Sequence, residues 1–151
     1  ATVPLSHPEY GTVYIRDQHP LNVKMLERAL TDMTVPDWLA QLNRHVFFAP
    51  TPKRLQDLYA AYTDQPRLVL TVDTRSLLEE HRYQTLLAAI NTGAVRHVKH
   101  THGSRTLQPV SIFDTKREVA EIAVINAVTD VAQHTTRVEV WNPDGSRMTL
   151  A

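Results

Sequence analysis

The run Val119-Ala120-Glu121-Ile122-Ala123-Val124-Ile125-Asn126-Ala127-Val128 decides how this chain is read, because its apolar content suits either a strand or a helix. Periodicity alone does not separate a short buried strand from a buried helical segment. As a strand, the run sets Glu121 among apolar neighbours, where a carboxylate is costly to hold unless it is paired or used. As a helix, it turns Glu121 onto a solvated face. Under the strand reading Glu121 is the most unusual acid in the chain, whereas Glu118 is explained as a solvated residue.

The segments on either side favour a sheet. Downstream, Arg137 to Trp141 (RVEVW) alternates as a strand does, and Asn142-Pro143-Asp144-Gly145 is a turn, so the last residues should close a hairpin. Upstream, Arg67 to Val72 (RLVLTV) is short, continuous and rich in leucine and valine, the pattern of a buried strand. Asp73 or Thr74 should start the next helix, with Ser76-Leu77-Leu78-Glu79 as a competing capping box. Nearer the start, Thr12 to Ile15 reads as a core strand and Leu21 to Leu30 as an amphipathic helix. A second helix is expected from Thr34-Val35-Pro36-Asp37 to Asn43, a short strand over His45 to Ala49, and a helix from Thr51-Pro52 to about Tyr62. From Ile90 to Asp114 regular patterning disappears, and irregular segments of that length in compact domains are usually functional or disordered. The expected fold is α+β, a mixed central sheet with flanking helices in a single domain over residues 1–151.

Bulk properties narrow the function. The 151 residues, 42% of them hydrophobic, suffice for one real core. Sixteen basic and sixteen acidic residues cancel, so any affinity for phosphate must come from a local patch. With no cysteine there is no disulfide framework, thiolate nucleophile or cysteine metal site, which fits a reducing compartment. No apolar run approaches the roughly 20 residues that cross a bilayer. A soluble, cytoplasmic protein is expected. The chain begins at Ala1 without methionine, as a processed product or the later part of a longer polypeptide would.

Four groups of residues could carry chemistry. Arg16-Asp17-Gln18 follows an apolar strand and is stopped by Pro20; a guanidinium there could grip a phosphate or carboxylate, or simply pair with Asp17 at the surface. Arg96 to Arg105 holds three fixed positive charges, three histidines and no acid, which suits cofactor phosphates or a nucleic-acid backbone but also suits a solvated basic loop. His100 and His102 would share one face of a strand, yet no third ligand has a compelling spacing, so no metal is expected. Glu121 is the third. The paired units His102-Gly103-Ser104 and His134-Thr135-Thr136 are the fourth, and very briefly resemble the 2H phosphoesterases, where two histidines act as general acid and base.

Taken in order, Tyr14-Ile15-Arg16-Asp17-Gln18-x-Pro20-Leu21, Trp38-Leu39-x-x-Leu42-Asn43-x-x-Val46-Phe47-Phe48, Ile90-Asn91-Thr92-Gly93-Ala94 and Ala120-Glu121-Ile122-Ala123-Val124 look like a bacterial family of unknown function, itself similar to the DarT-type ADP-ribosyltransferases. That resemblance spans about residues 12 to 140. It implies an ADP-ribosyltransferase-like fold, a toxin-type transferase that uses NAD as substrate, and an acceptor that is nucleic acid or protein, with an antitoxin as a further partner. It implies Glu121 as the catalytic glutamate and Arg16, with Tyr14, Gln18 and Arg105, as NAD contacts. Such families begin with a strand carrying a His-x-Thr-like motif; this sequence has His7-Pro8-Glu9 instead, which implies an incomplete pocket or a missing N-terminal segment. The alternative class is a non-catalytic module that holds nucleic acid or protein with the basic loop.

Overall fold

The structure is a computed structural model that describes residues 2–16, 22–61, 64–94 and 101–151, without the side chains of residues 2, 15 and 16. In chain order its elements are β1 (Thr2–His7), β2 (Gly11–Arg16), α1 (Val23–Ala29), α2 (Val35–Asn43), β3 (His45–Phe48), α3 (Pro52–Ala60) and β4 (Arg67–Val72). There follow α4 (Thr74–His81), β5 (Thr85–Ala88), β6 (Gln108–Pro109), β7 (Glu121–Ile125), α5 (Val131–His134), β8 (Thr135–Trp141) and β9 (Arg147–Thr149).

The deciding run is a strand. β7 lies between β3 and β5 in a four-stranded sheet of order β3-β7-β5-β6, antiparallel throughout. Residues opposite one another in antiparallel strands share a face. Glu121 and Ala123 therefore share theirs with Ala88 and Leu86 of β5, under Leu107, and these apolar residues form one compact cluster. Ile122 and Val124 point to the other face, and Ile122, Ala123 and Val124 are all buried. Only a strand flanked on both edges and covered on both faces buries three consecutive side chains in this way.

Helix starts follow the local chemistry. Thr34, Thr51 and Asp73 cap α2, α3 and α4, each accepting from a backbone N–H three residues on, and Pro36 and Pro52 sit in the first turns of α2 and α3. Ser76 is thus the residue that receives the cap of α4 and does not open the helix. α1 starts at an Asn22 cap, with Leu21 outside the described residues. Leu26 and Trp38 are each 1% exposed and anchor a helical core between α1 and α2, against which Leu30, Met33, Val35, Leu39 and Leu42 pack.

Three expectations are corrected. The described residues form no single mixed sheet: β1 and β2 form a hairpin, β4-β8-β9 is a separate antiparallel sheet, and the one parallel contact among them is the isolated bridge from Leu30 to His102. β4 is an edge strand, not a doubly covered one; Val69 is buried, whereas Leu68 and Leu70 face outward. Thr12 to Ile15 lies within β2, but residues 3–14 of the hairpin are exposed, so it is no core strand. For the two strands the apolar composition predicts burial, but composition does not say whether a neighbour covers the face; for the sheet, local pattern does not say which strands pair. The expected closing hairpin is present as β8 and β9, where Arg147 lies 3.8 Å over the Trp141 ring and Tyr59 of α3 meets the same ring edge-on.

Replacing Trp38 by Ala should cost about 3–5 kcal/mol, the range for emptying a large aromatic site in a core. Urea unfolding is expected to show the midpoint moving down with little change in slope.

Candidate functional site

Glu121 occupies the first position of β7, where the strand emerges from its apolar surroundings, and its side chain is partly buried. One carboxylate oxygen, Oε2, accepts two hydrogen bonds from Thr92, from the hydroxyl at 2.7 Å and the backbone N–H at 3.1 Å. Thr92 is itself buried and comes four residues after Ala88, the residue paired with Glu121 across the sheet. The turn after β5 thus folds back to clamp the acid at the start of β7. Burial raises the Glu121 pKa above the ordinary carboxylate value, against the two Thr92 hydrogen bonds and the Arg54 charge, which lower it. Arg54 is ion-paired at 3.1 Å with Glu118, three residues before Glu121.

A cavity of about 370 Å³ opens beside this strand end, lined by Asp32, Ile90, His102, Arg105 and Arg117 among others. Its wall is built from the irregular segment, which proves to be firmly stitched to the C-terminal end of α1. His102 N–H donates to Ala29 O at 2.8 Å, Thr31 N–H donates to His102 O at 2.9 Å, and Asp32 accepts from both the backbone N–H and the hydroxyl of Ser104. Those two Ser104 hydrogen bonds, the hydroxyl's first, hold the Asp32 pKa below the ordinary carboxylate value, against a smaller opposing effect of burial. A Cβ at Gly103 would overlap the Asp32 carboxylate and the Thr31 hydroxyl, so any other residue there displaces the Asp32 side chain that holds Ser104. His102 is 1% exposed, tilted against Trp38 with ring centroids 5.3 Å apart, and its Nε2 lies 3.3 Å from Ala94 O.

A second constellation lies between α4 and α5. His81 Nε2 and His134 Nε2 lie 2.8 and 3.2 Å from the two oxygens of Asp130, and Ser76 Oγ is 2.7 Å from His134 Nδ1. The hydrogen bond to Gln84, opposed by burial and assisted by Asp130, raises the His81 pKa. Burial of the Asp130 carboxyl would raise its pKa, but hydrogen bonds with His81 and His134 prevail and lower it.

The structure therefore brings Arg105, His102 and Gly103 to one cavity and sets Glu121 a few residues from its lining along two chain segments, although Glu121 does not itself line it. Tyr14 is 70% exposed on the hairpin and lines neither this cavity nor the apolar groove at Leu55, Leu58 and Tyr59. The Arg16 side chain, Gln18, Arg96, Lys99 and His100 lie outside the described residues. His102 and His134 reach no common cavity, since His134 belongs to the α4–α5 cluster. The sequence does not single out Asp32, His81 or Asp130; Thr92 and Arg117 stand in the stretches around Ile90 and Glu121 without a role of their own, and His134 is paired there with His102, not with His81 and Asp130. The only local signal for the cluster is Asp130 and His134 at a four-residue spacing, one helical turn apart.

Fold and site define an α+β chain with a clamped strand-end glutamate and a polar cavity that carries two arginines. The chain belongs to a family of unknown function, DUF7002, whose model matches residues 1–135. No curated protein and no solved structure matches it.

Thr92→Val removes one of the two hydrogen bonds that favour the Glu121 anion, so the Glu121 pKa should rise further. A carboxyl-carbon NMR titration against wild type reads this directly, and an unchanged or lower value would refute the clamp described above.

Proposed function

We propose that this domain acts on NAD as an ADP-ribosyltransferase, with Glu121 as the catalytic carboxylate and nucleic acid or protein as acceptor. The observation that carries the reading is the fixed, partly buried carboxylate at the start of β7, aimed by Thr92 through two hydrogen bonds to a single oxygen. Breaking the bond between nicotinamide and the ribose leaves the electron pair on nicotinamide, which departs neutral, and develops positive charge on the ribose. A preorganised anion beside that carbon stabilises an oxocarbenium-like transition state. The acceptor then forms the new bond to the same carbon and gives up its proton.

Thr92 suits this task because it fixes the carboxylate without neutralising it. One oxygen is held, and the hydrogen bonds oppose the tendency of burial to protonate the acid. Arg105 and Arg117 in the cavity wall offer cations to the diphosphate. Arg16, Tyr14 and Gln18 are NAD contacts on the family resemblance alone, since Tyr14 does not line this cavity and the Arg16 side chain and Gln18 lie outside the described residues. On this reading the reaction takes place in the cytoplasm, with an antitoxin as a further partner of a toxin-type transferase.

One observation favours a second reading. Glu121 does not line the cavity, and a polar cavity with two arginines but no carboxylate from β7 also suits a non-catalytic module that holds the phosphates of a nucleic acid or an acidic protein segment.

Nicotinamide release from NAD, measured with and without DNA, RNA and cell lysate, separates the two. The transferase reading expects release that falls by about two to three orders of magnitude in Glu121→Gln, the scale of losing one preorganised electrostatic partner. Burial disfavours the Glu121 anion, so its neutral replacement should leave the melting temperature unchanged or slightly raised. Arg105→Ala should raise KM for NAD about tenfold, the equivalent of one lost charged contact of about 1.4 kcal/mol. Absence of release under every condition, with binding to nucleic acid that Arg105→Ala weakens, would establish the binding module instead.

A further inference from the structure

The α4–α5 cluster plays no part in the reading above and stands independently of it. We propose that His81, Asp130 and His134 form a site for a divalent transition-metal ion, Zn²⁺ or a close analogue, that clamps the end of α4 to α5 and the start of β8. Two imidazoles and one carboxylate converge here, and each imidazole is held from behind at its Nδ1.

His81 Nδ1 is 3.2 Å from the Gln84 side-chain amide, which holds that nitrogen from behind, either accepting from Nδ1–H or, turned over, donating to Nδ1. His81 Nε2 faces the Asp130 carboxylate at 2.8 Å. A proton on Nε2 satisfies that contact in the free chain, and a metal ion binds by taking the proton's place between the two ligand atoms. His134 is held in the same manner. Its Nδ1 is engaged by the Ser76 hydroxyl at 2.7 Å, and its Nε2 turns to the other Asp130 oxygen at 3.2 Å. Each histidine is thus oriented by a separate partner at Nδ1 and directed by Nε2 at one carboxylate, which is how proteins orient metal-ligating imidazoles.

The dimensions agree. One donor atom from each of the three residues lies within 4.8 Å of the others. In a tetrahedral zinc site with metal–ligand distances near 2.0–2.1 Å, neighbouring ligand atoms stand about 3.3 Å apart. The observed contacts, 2.8 Å to one Asp130 oxygen and 3.2 Å to the other, are both somewhat shorter, so the ligand atoms need only move apart by a few tenths of an ångström to admit the ion. The histidine side chains are 12% and 7% exposed and that of Asp130 is 21% exposed, so water or another small ligand can complete the shell on the Asp130 side. Two neutral imidazoles and one carboxylate suit zinc, cobalt, nickel or copper, not calcium or magnesium.

A serine-nucleophile reading of Ser76, His134 and Asp130 is weaker. Ser76 lines neither cavity described here, and it sits in the first turn of α4 with its N–H engaged by Asp73.

The test is titration of the full chain, stripped with a chelator, with Zn²⁺ alone by calorimetry at neutral pH, and with Co²⁺ by visible absorption. The site expects one equivalent of Zn²⁺ bound at micromolar Kd or tighter, the absorption of low-coordinate Co²⁺, and a melting temperature that rises with Zn²⁺. Asp130→Asn and His81→Gln should abolish that equivalent. Ser76→Ala should weaken it by about 10–100-fold through loss of the hydrogen bond that orients His134. His7→Gln, at an exposed histidine on the hairpin, should leave it intact and so controls for adventitious binding. Failure of the wild-type chain to bind one equivalent overturns the proposal whatever the variants do. Retention of that equivalent in folded Asp130→Asn also overturns it.

Discussion

Everything in the larger sheet depends on β7 being paired along both edges. β3 takes one side and β5 the other, so the strand's backbone groups are satisfied within the sheet and its side chains can be apolar on both faces without cost. That pairing fixes the register, and the register decides where Glu121 falls. A slip by one residue would turn the whole strand over, sending Ala123 to the opposite face and the carboxylate away from Thr92. The strand's apolar middle is thus what allows one charged residue to be held at its end in a defined place.

The wall of the cavity is built by a different physical device. Residues 101–107 have almost no regular structure, yet their backbone is tied to α1 by the hydrogen bonds of Ala29, Thr31 and Asp32, and Gly103 allows that close approach. Irregular backbone of this kind can keep a polar cavity open, because its N–H and C=O groups are met by caps and side chains and leave charged residues free to line the space. Arg105 is presented by such a segment, and Arg117 by a second stretch of irregular chain leading into β7.

Much of the fold was legible in the sequence where local chemistry dictates the outcome. Threonine or aspartate before a helix, proline in its first turn, and the alternation of RVEVW each act through a few neighbouring residues, so α2, α3, α4 and β8 fall close to where the sequence sets them. Long-range properties were harder to read. Whether RLVLTV is covered on both faces depends on what packs against it, and nothing within those six residues says that β4 is an edge. At the site, Glu121 stands out because its own neighbours are apolar. Its partner Thr92, and the meeting of His81 with Asp130 and His134 across about fifty residues, depend on tertiary folding that leaves no local trace.

The two larger sheets also differ in how they present their margins. β6 ends the four-stranded sheet with two residues, one of them Pro109, which has no N–H to offer, so an additional strand finds little there to pair with. β4 ends the other sheet with six residues and outward-facing Leu68 and Leu70. At high concentration, or during slow refolding, β4 is therefore an edge open to self-templating in a way that β6 is not, and a lysine at position 68 or 70 is the change that would blunt it.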